Sequence, residues 1–393
     1  MRILTVNAGS SSTKVSIVDG SITLDSLILP QAGDPSIETT IRDLVDRYEP
    51  QASGHRIVHG GTKYTAPLFV SEATETALSE LVDLAPLHNP PALSLMDTVL
   101  ALDPAMPAVA CFDTTFFASL PAYAATYAIP AGWRERWGIR RFGFHGLSHS
   151  WAVHRGAELV GRPVESLRIV SAHLGSGASL AATAYGNVVD TTMGFTPLEG
   201  LVMGTRPGSV DPGVITFIMR HEHLDPDDLE NALEYRSGLL ALAGTPDLQA
   251  VIERSLAGDE TAELAWQVYL HRLKGAIGSM AAAAGGIDLL IFTGGAGENS
   301  SHLRYEACSG LGFLGLSVDP ELNTATGTAH DAMTSQPRSQ IGRKPEDGKP
   351  AENATSSPDR IISSHNTIAI VVVHAREDLE IARQVETVLS DWG

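Results

Sequence analysis

Apolar residues recur along the chain with two different periods, and these periods predict alternating strands and helices. The stretch "LTVNAGSSSTKVSIV" has apolar positions on both sides of a small polar loop, which is typical of two short buried strands. "PSIETTIRDLVDRYEP" and "REDLEIARQVETVLSDW" have them three and four positions apart, which predicts two helices. The same spacing predicts helices over 71–84, 147–160 and 260–284, and "TIAIVVV" predicts a strand. This alternation favours an α/β fold.

The polar loop between the first two strands is dense in hydrogen-bond donors. Its glycine, serines and threonine supply N–H and O–H groups, and Lys14 supplies an ammonium. Together these groups suit an anion such as phosphate. The loop is not a P-loop, because Thr13 rather than glycine precedes the lysine and a strand follows. A phosphate loop and an ordinary polar hairpin turn both fit this stretch taken alone.

The chain contains an internal repeat of this hairpin. "TVNAGSSSTKVSIVDG" matches "SAHLGSGASLAATAYG" at an offset of 166 residues, which places Thr13 on Ser179. A third loop, in "DLLIFTGGAGENSSHLRYEA", runs from a strand into a helix, whose N–H groups suit an anion or a sugar. The repeat predicts two domains of one design that hold a nucleotide's phosphates between them. Chance similarity between glycine-rich hairpins is the alternative.

Composition limits the size, partners and compartment of the protein. The 393 residues, 43% of them hydrophobic, can form two or three domains. A net charge of -19 argues against nucleic acid and anionic membranes as partners, so local cations must hold an anionic substrate. Cys111 and Cys308 are too few for a disulfide framework. With no secretory signal pattern and no long apolar run, a cytoplasmic protein is expected.

Residues 331–360 have a different composition from the rest of the chain. The segment has four prolines, many polar residues and no apolar period. We therefore expect a flexible surface insertion that can be shortened with little effect on activity or melting temperature.

Several charged and titratable residues are candidates for chemistry. Arg56 and Arg206 lie beside glycines and suit carboxylate or phosphate oxygens, although each alone also fits a surface salt bridge. Asp113 follows an apolar strand and could equally be a buried N-cap. His145 and His149 are one helical turn apart, but no carboxylate or cysteine completes a zinc set. His145 fits as a donor to a transferring group, and His149 is expected to be structural.

The order of nine motifs resembles that of the acetate kinase family. They are "NAGSSSTK", "RIVHGG", "LAPLHNPPAL", "FDTTF", "RRFGFHGLSH", "HLGSG", "MGFTPLEGLVMGTR", "SVDPG" and "GGAGEN". The family belongs to the superfamily of sugar kinases, actin and heat-shock chaperone ATPases. The resemblance implies an α/β fold of two duplicated ribonuclease H-like (actin-like) domains with the active site in the cleft between them. The domains would be 1–115 with 377–393, and 116–376.

The resemblance also implies an activity. It is the reversible transfer of the γ-phosphoryl group of ATP to acetate, giving acetyl phosphate and ADP, with Mg²⁺ as the metal and Mn²⁺ as an alternative, in a cytoplasmic homodimer. Two other functions remain open. One is a kinase of propionate or another short-chain acid, and the other is an actin-like or chaperone-like interaction protein driven by nucleotide.

Site residues follow from the resemblance by matching motif positions. The catalytic set is Asp113, His145 and Arg206. The set around the acid is Arg56, Val58, Leu87, Phe144 and Pro197. The nucleotide and phosphoryl set is Ser10, Ser12, Lys14, His173, Leu174, Gly175, Ser176, Gly177, Asp247, Leu248, Gln249, Gly295, Ala296, Gly297, Glu298 and Asn299. The set near the metal is Asn7 and Glu377. Because acetate is already ionised, Asp113 is expected to position an arginine or the metal rather than to take a proton.

Three positions depart from the usual family pattern. Ser176 and Arg376 each replace a usual asparagine, and Gln249 replaces a usual arginine. These departures leave nucleotide affinity and preference open. Val58 agrees with the pattern in which valine goes with acetate and alanine with propionate.

Overall fold

The computed structural model describes most of the chain, with short gaps near the first loop and before residue 88 and one long gap. The described residues are 1–9, 12–34, 36–82, 85, 88–324 and 359–391. Ser10, Leu87 and all but the last two residues of the 331–360 insertion lie outside them.

Two mixed sheets form the framework. The strands of the first are β1 Arg2–Ala8, β2 Thr13–Asp19, β3 Ile22–Leu29, β4 Ala52–Ile57, β5 Leu68–Phe69 and β6 Ala108–Phe112. The strands of the second are β7 Arg168–Leu174, β8 Ala178–Ala184, β9 Asn187–Thr191, β10 Leu289–Thr293, β11 Arg360–Ile361 and β12 Ala369–Val372. Their orders, β3-β2-β1-β4-β6-β5 and β9-β8-β7-β10-β12-β11, are the same topology built twice.

Helices cover both sheets. They are α1 Ser36–Tyr48, α2 Glu72–Ser79, α3 Asn89–Leu102, α4 Ala122–Ala125, α5 Ala131–Trp137, α6 Gly146–Leu159, α7 Pro212–Glu222, α8 Pro226–Tyr235, α9 Gly238–Ala243, α10 Leu248–Leu256, α11 Glu260–Ala283, α12 Gly294–Asn299, α13 Ser301–Cys308, α14 Pro320–Thr324 and α15 Glu377–Ser390. The α/β prediction and the long predicted helices are confirmed. The helix predicted over 71–84 begins at its Ser71 cap but ends at Ser79. No helix in the described part of the chain is long and apolar enough to cross a membrane.

The internal repeat is present in the hairpins, with one change in register. Both second strands shift register against the third at the same place, between Ile17 and Val18 and between Ala182 and Thr183. Asn7 pairs with Lys14, whereas the equivalent pair in the second copy joins His173 to Ser179. The second loop is therefore one residue shorter, and Ser179 is the counterpart of Lys14 and not of Thr13.

The last helix returns to the first sheet. Leu379, Ile381 and Val385 of α15 pack in one core with residues of β1 and β6. Gly54 of β4 allows the close approach, because a Cβ there would lie 2.4 Å from Cγ2 of Ile381. This packing brings Glu377, the first residue of α15, to the carboxyl end of β1, where it contacts Asn7.

Candidate active site

A cavity of about 440 Å³ is lined by residues from both sheets. The parallel strands β1, β4, β6, β7 and β10 contribute their carboxyl ends or the residues that follow, which is where α/β sheets usually bind ligands. The predicted residues that line it are Asn7, Ser12, Lys14, Arg56, Val58, Asp113, Phe144, His145, His173, Gly175, Ser176, Gly177, Pro197, Arg206, Gly295 and Glu377. Besides His173, four of these have cationic or imidazole side chains and come from distant parts of the sequence: Lys14, Arg56, His145 and Arg206. The unpredicted His88 lines the cavity with them.

The two hairpin loops close in the same way. The N–H of Gly9 donates to the carbonyl of Ser12, and the N–H of Gly175 donates to the carbonyl of Gly177, both at 2.9 Å. Gly9 and Ser12 of the first loop and residues 175–177 of the second line the cavity. Gly295 lies beside the second loop, because a Cβ on Gly175 would be 3.9 Å from the Gly295 nitrogen.

Arg56 and Asp113 form an ion pair at the wall of the cavity. Nη2 of Arg56 lies 2.6 Å from Oδ2 of Asp113, and Nε lies 3.2 Å from both carboxylate oxygens. Burial raises the pKa of Asp113, and the charge of Arg56 opposes this. Burial alone would lower the pKa of Arg56, but Asp113 raises it, so the guanidinium stays charged. Both carboxylate oxygens of Asp113 are therefore used to orient the guanidinium of Arg56.

Asn7 connects this pair to Glu377. Its Oδ1 accepts from Nη1 of Arg56 at 2.9 Å, and its Nδ2 donates to Oε2 of Glu377. Burial opposes ionisation of Glu377, but Arg56 and the hydrogen bond from Asn7 help to lower its pKa, so a carboxylate faces the cavity. Among the described residues no group of three or more His, Cys, Asp or Glu side chains could hold a metal. One carboxylate beside an amide oxygen fits a Mg²⁺ ion that keeps its water and arrives on phosphates.

His145 occupies an unusual backbone position at the start of α6. Its φ of 56° lies in the left-handed region, where a residue with a side chain is strained. The next residue can only be glycine, because a Cβ on Gly146 would lie 1.9 Å from the carbonyl oxygen of Asp113. This contact fixes the start of α6 against the 3-10 turn Asp113–Phe117. His145 and Asp113 are thereby held on neighbouring walls of the cavity.

The imidazole of His145 is neutral. Burial lowers its pKa well below the ordinary value, and the nearby His173 and Arg56 lower it further. The ring stacks on that of His173 with centroids 4.4 Å apart. His145 can therefore offer a neutral N–H to an anion without adding charge.

Arg206 approaches the same point as His145. A Cβ on Gly177 would lie 3.0 Å from Nη2 of Arg206 and 3.1 Å from Nε2 of His145. Nη1 of Arg206 donates to the carbonyl of Pro197 at 3.0 Å, and Nε lies 3.7 Å from Glu234. Burial lowers the pKa of Arg206 and Glu234 opposes this. The two donors converge on one small volume beside the second hairpin loop.

Lys14 shares a carboxylate with the unusual Arg376. Nζ of Lys14 lies 3.9 Å from Oδ1 of Asp378, whereas Nε of Arg376 lies 3.0 Å from the same oxygen. Thr23 donates to Oδ2 of Asp378 at 2.8 Å. Because Arg376 and Thr23 engage Asp378 more closely, the ammonium of Lys14 is loosely held at the cavity.

Some residues of the nucleotide set lie outside the cavity. Leu174 is fully buried in the core of the second sheet. Asp247 caps α10 by accepting from the N–H of Gln249 at 2.9 Å, and Gln249 itself donates to Glu253 at the surface. Leu248, Ala296, Gly297 and Asn299 do not line the cavity either. The segment that contains Asp247 is nevertheless close to the second hairpin loop. Gly204 connects them, because its N–H donates to the carbonyl of Ser176 and a Cβ on it would lie 3.0 Å from the carbonyl oxygen of Pro246.

Glu298 turns into the protein. Its Oε1 accepts from the N–H groups of Gly294 and Ala375, both at 2.9 Å, and its Oε2 contacts Nδ1 of His374. The first N–H of α12 is therefore used internally. Burial opposes ionisation, but His374 and the N–H of Ala375 lower the pKa of Glu298. The carboxylate fixes the glycine loop to the segment that leads into α15.

Six residues that were not predicted from the sequence also line the cavity. They are Ala8, Gly9, His88, Pro91, Gly294 and Ala375. His88 lies at the start of α3, and burial followed by the charges of Arg206 and Arg56 lowers its pKa to about 4. The signal was present, because "LAPLHNPPAL" is one of the quoted motifs and contains both His88 and Pro91.

Comparisons with known proteins identify similar chains. A model of the Acetokinase family matches residues 36–343. An acetate kinase of Gloeothece citriformis is 39% identical over 357 residues, which cover 91% of this chain and 81% of that one. An acetate kinase of Dictyoglomus thermophilum is 41% identical over 377 residues, covering 87% and 94%.

Solved structures give the same picture. The crystal structure of Porphyromonas gingivalis acetate kinase superposes with a TM-score of 0.83 at 32% identity and covers 99% of both chains. That of a propionate kinase from Francisella tularensis superposes with a TM-score of 0.83 at 28% identity and covers 98% of both. The two-sheet arrangement is therefore that of these kinases.

Proposed function

The chain belongs to the acetokinase family, and we propose that it catalyses the reversible transfer of the γ-phosphoryl group of ATP to acetate, giving acetyl phosphate and ADP. The main observation in support is that a buried carboxylate fixes Arg56 beside an apolar surface in the cavity. Two glycine-rich loops line the same cavity. A kinase with a carboxylate acceptor needs these three parts together.

Arg56 would bind the carboxylate of the acid. Its Nη1 and Nη2 are oriented by Asn7 and Asp113, which removes the cost of ordering a long side chain when the acid binds. Val58 and Phe144 supply apolar surface for the methyl group, as both are buried and line the same cavity. Pro197, whose carbonyl holds Arg206, completes this wall.

The transfer needs no proton acceptor. A carboxylate oxygen of acetate attacks the γ-phosphorus in line, the bond from that phosphorus to the β–γ bridging oxygen breaks, and ADP leaves with the electron pair. Asp113 therefore acts through Arg56 and not as a base. His145 and Arg206 donate to the oxygens of the phosphoryl group, whose charge must be neutralised as it moves.

Lys14 and the hairpin loops would hold the phosphates of the nucleotide. Ser12, His173 and the loop from Gly175 to Gly177 line the same cavity as Arg56 and Val58. Asn7 and Glu377 would hold Mg²⁺ through its water, and Mn²⁺ could replace it. When bound, the ion neutralises phosphate charge and aligns the phosphates.

One assay tests the function and the choice of acid. Purified protein with ATP and Mg²⁺ is given formate, acetate, propionate or butyrate, and acyl phosphate is trapped with hydroxylamine. We expect the highest kcat/KM with acetate. A preference for propionate, the acid of one structural relative, would assign the alternative function. Absence of acid-dependent ATP consumption would favour a nucleotide-driven interaction protein.

The domains and the assembly are part of the same proposal. We assign residues 1–115 with 377–393 to one domain and 116–376 to the other, since α15 packs on the first sheet. A homodimer is supported by α7, which has no buried residue and leaves two apolar side chains, Val214 and Phe217, 44% and 55% exposed. A second copy of the chain could cover this apolar surface. Light scattering on wild type and Phe217→Arg tests this, with loss of the dimer expected in the variant.

A cytoplasmic location is also proposed. It is supported by the two cysteines, which are buried free thiols. Fractionation of cells that make the protein, followed by an activity assay on the cytoplasmic and membrane fractions, tests it.

A further inference from the structure

A continuous chain of hydrogen bonds runs from the interior of the second sheet to His145. Ser171 Oγ lies 3.0 Å from Nδ1 of His149, and Nε2 of His149 lies 2.8 Å from Oγ of Ser179. Ser179 Oγ then lies 2.9 Å from Nδ1 of His145. Ser171, Ser179 and His149 are completely buried, whereas His145 is partly exposed and lines the cavity.

Such a chain couples the proton positions of both imidazoles. A neutral imidazole has one N–H donor and one acceptor nitrogen, so a hydroxyl between two rings must donate to one and accept from the other. The direction of donation in the hydrogen bond at Ser171 therefore determines whether Nε2 of His145 carries a hydrogen. Burial lowers the pKa of His149 as well as that of His145, so both rings are neutral and this rule applies to both.

An anion at the cavity selects one of the two directions. Nε2 is the ring nitrogen of His145 that Ser179 does not engage, and it lies beside Gly177 together with Nη2 of Arg206. A phosphoryl oxygen there can only accept, so Nε2 must carry the hydrogen. Nδ1 must then accept from Ser179, which in turn accepts from Nε2–H of His149, and Nδ1 of His149 accepts from Ser171.

We propose that Ser171, His149 and Ser179 are positioning residues that hold His145 in the tautomer with hydrogen on Nε2, so that a neutral donor faces the transferring phosphoryl group. This inference rests on the proposed function only for the identity of the anion. It assigns a task to His149, for which a purely structural role was expected. It also explains the divergence of the repeat, because the position that holds Lys14 in the first hairpin holds Ser179 in the second.

Variants at two links separate positioning from packing. Ser179→Ala removes the donor to His145, and His149→Phe removes the donor to Ser179. His149→Gln retains an amide N–H near the place of Nε2. Thr183→Val is the matched control, because Thr183 lies on the same strand and its buried hydroxyl has no hydrogen-bond partner in the described part of the chain.

The kinetic outcome is a change in kcat without a matching change in binding. We expect Ser179→Ala and His149→Phe to lower kcat by about tenfold to a hundredfold. The KM values for acetate and ATP should stay within about twofold, because the lost term acts on the transition state. His149→Gln should recover most of kcat, and Thr183→Val should match wild type. Unchanged kcat in Ser179→Ala at wild-type affinity would overturn the proposal.

A spectroscopic measurement is independent of turnover. In protein labelled with ¹⁵N-histidine, long-range ¹H–¹⁵N spectra distinguish the two neutral tautomers, and His145→Ala assigns the signal. With Mg²⁺ and the non-hydrolysable ATP analogue AMP-PNP bound, which supplies a γ-phosphoryl group, we expect His145 in the Nε2–H form in wild type and a mixture in Ser179→Ala and His149→Phe. The Nδ1–H form in wild type would refute the proposed direction. If no acyl phosphate is formed with any acid, the proposed function fails, while these spectra still decide the tautomer.

Discussion

Replacing Asp113 by asparagine is the sharpest test of how the acid is held. The change keeps the size of the side chain and one oxygen that Nε of Arg56 can reach, but it removes the charge that fixes the guanidinium. Arg56 would then be a cation buried beside Glu377, the remaining carboxylate that acts on its charge. We expect the guanidinium to shift toward Glu377 and away from the acid.

The size of the effect follows from the burial of the pair. The side chain of Asp113 is 1% exposed and that of Arg56 is 12% exposed. Removing one partner of a buried pair costs about 3–5 kcal/mol. That cost falls on the stability of the fold, and because Arg56 retains Asn7 and some contact with solvent, we take its lower end. For catalysis, a guanidinium displaced by about 1 Å should lower kcat/KM for acetate by about a hundredfold.

Steady-state kinetics measure this effect, first with acetate varied at saturating ATP and then with ATP varied at saturating acetate. The KM for acetate should rise and kcat should fall, with the KM for ATP close to that of wild type. Asp288→Asn is the matched control, because Asp288 also pairs with an arginine through two close contacts but lies away from the cavity. It should leave both KM values and kcat unchanged. A kcat/KM for acetate in Asp113→Asn within about threefold of that of wild type would refute the positioning role of Asp113.

Three further predictions test other parts of the site. Val58→Ala should narrow or invert the preference for acetate over propionate, a difference of about 1–3 kcal/mol per methylene in kcat/KM, with no effect on the KM for ATP; an unchanged ratio would remove Val58 from the pocket. His145→Ala and Arg206→Ala should each lower kcat by about 10²–10³ with small changes in the KM for acetate, and loss of affinity alone would contradict their assignment. Glu298→Gln should lower the melting temperature most between pH 4.5 and 6.5, the ordinary pKa values of Glu298 and His374. Above pH 4.5 the lowered pKa of Glu298 stabilises the fold, and this contribution is lost on acidification. Below pH 6.5 the raised pKa of His374 stabilises the fold, and this contribution is lost as the pH rises. A decrease in melting temperature that does not depend on pH would refute the coupling.

The fold was predictable because its hairpins and helices are specified locally. The apolar positions that flank the first loop in β1 and β2, and the spacing of Ile37, Ile41 and Leu44 in α1, are properties of short stretches, and those apolar residues are buried as expected. The register of the second hairpin was not predictable in the same way. An alignment at a single offset has no information on loop length, and one residue fewer in the loop moves the whole second strand.

Residue type alone left the roles of the candidate residues open, since Arg56 also fitted a surface salt bridge and Asp113 a buried N-cap. The family resemblance named both residues as site candidates, and the structure pairs them at the cavity. The direction of a side chain is a different matter. Glu298 and Asp247 lie in loops that match nucleotide-binding motifs, yet one carboxylate turns inward to backbone N–H groups and the other caps a helix. Only the surrounding backbone, which folds from distant segments, decides between these alternatives.

The return of α15 to the first sheet has a consequence for the order of folding during synthesis. One face of that sheet, with Ile3 and Val109, is covered by Ile381 and Val385, which are made after every strand of the second sheet. The half of the protein that leaves the ribosome first therefore cannot bury this face until the other half has been translated. Domains usually fold in the order in which they are made. Here the second half can reach its native state earlier, and a nascent chain stalled before Glu377 would expose an apolar surface and recruit chaperones.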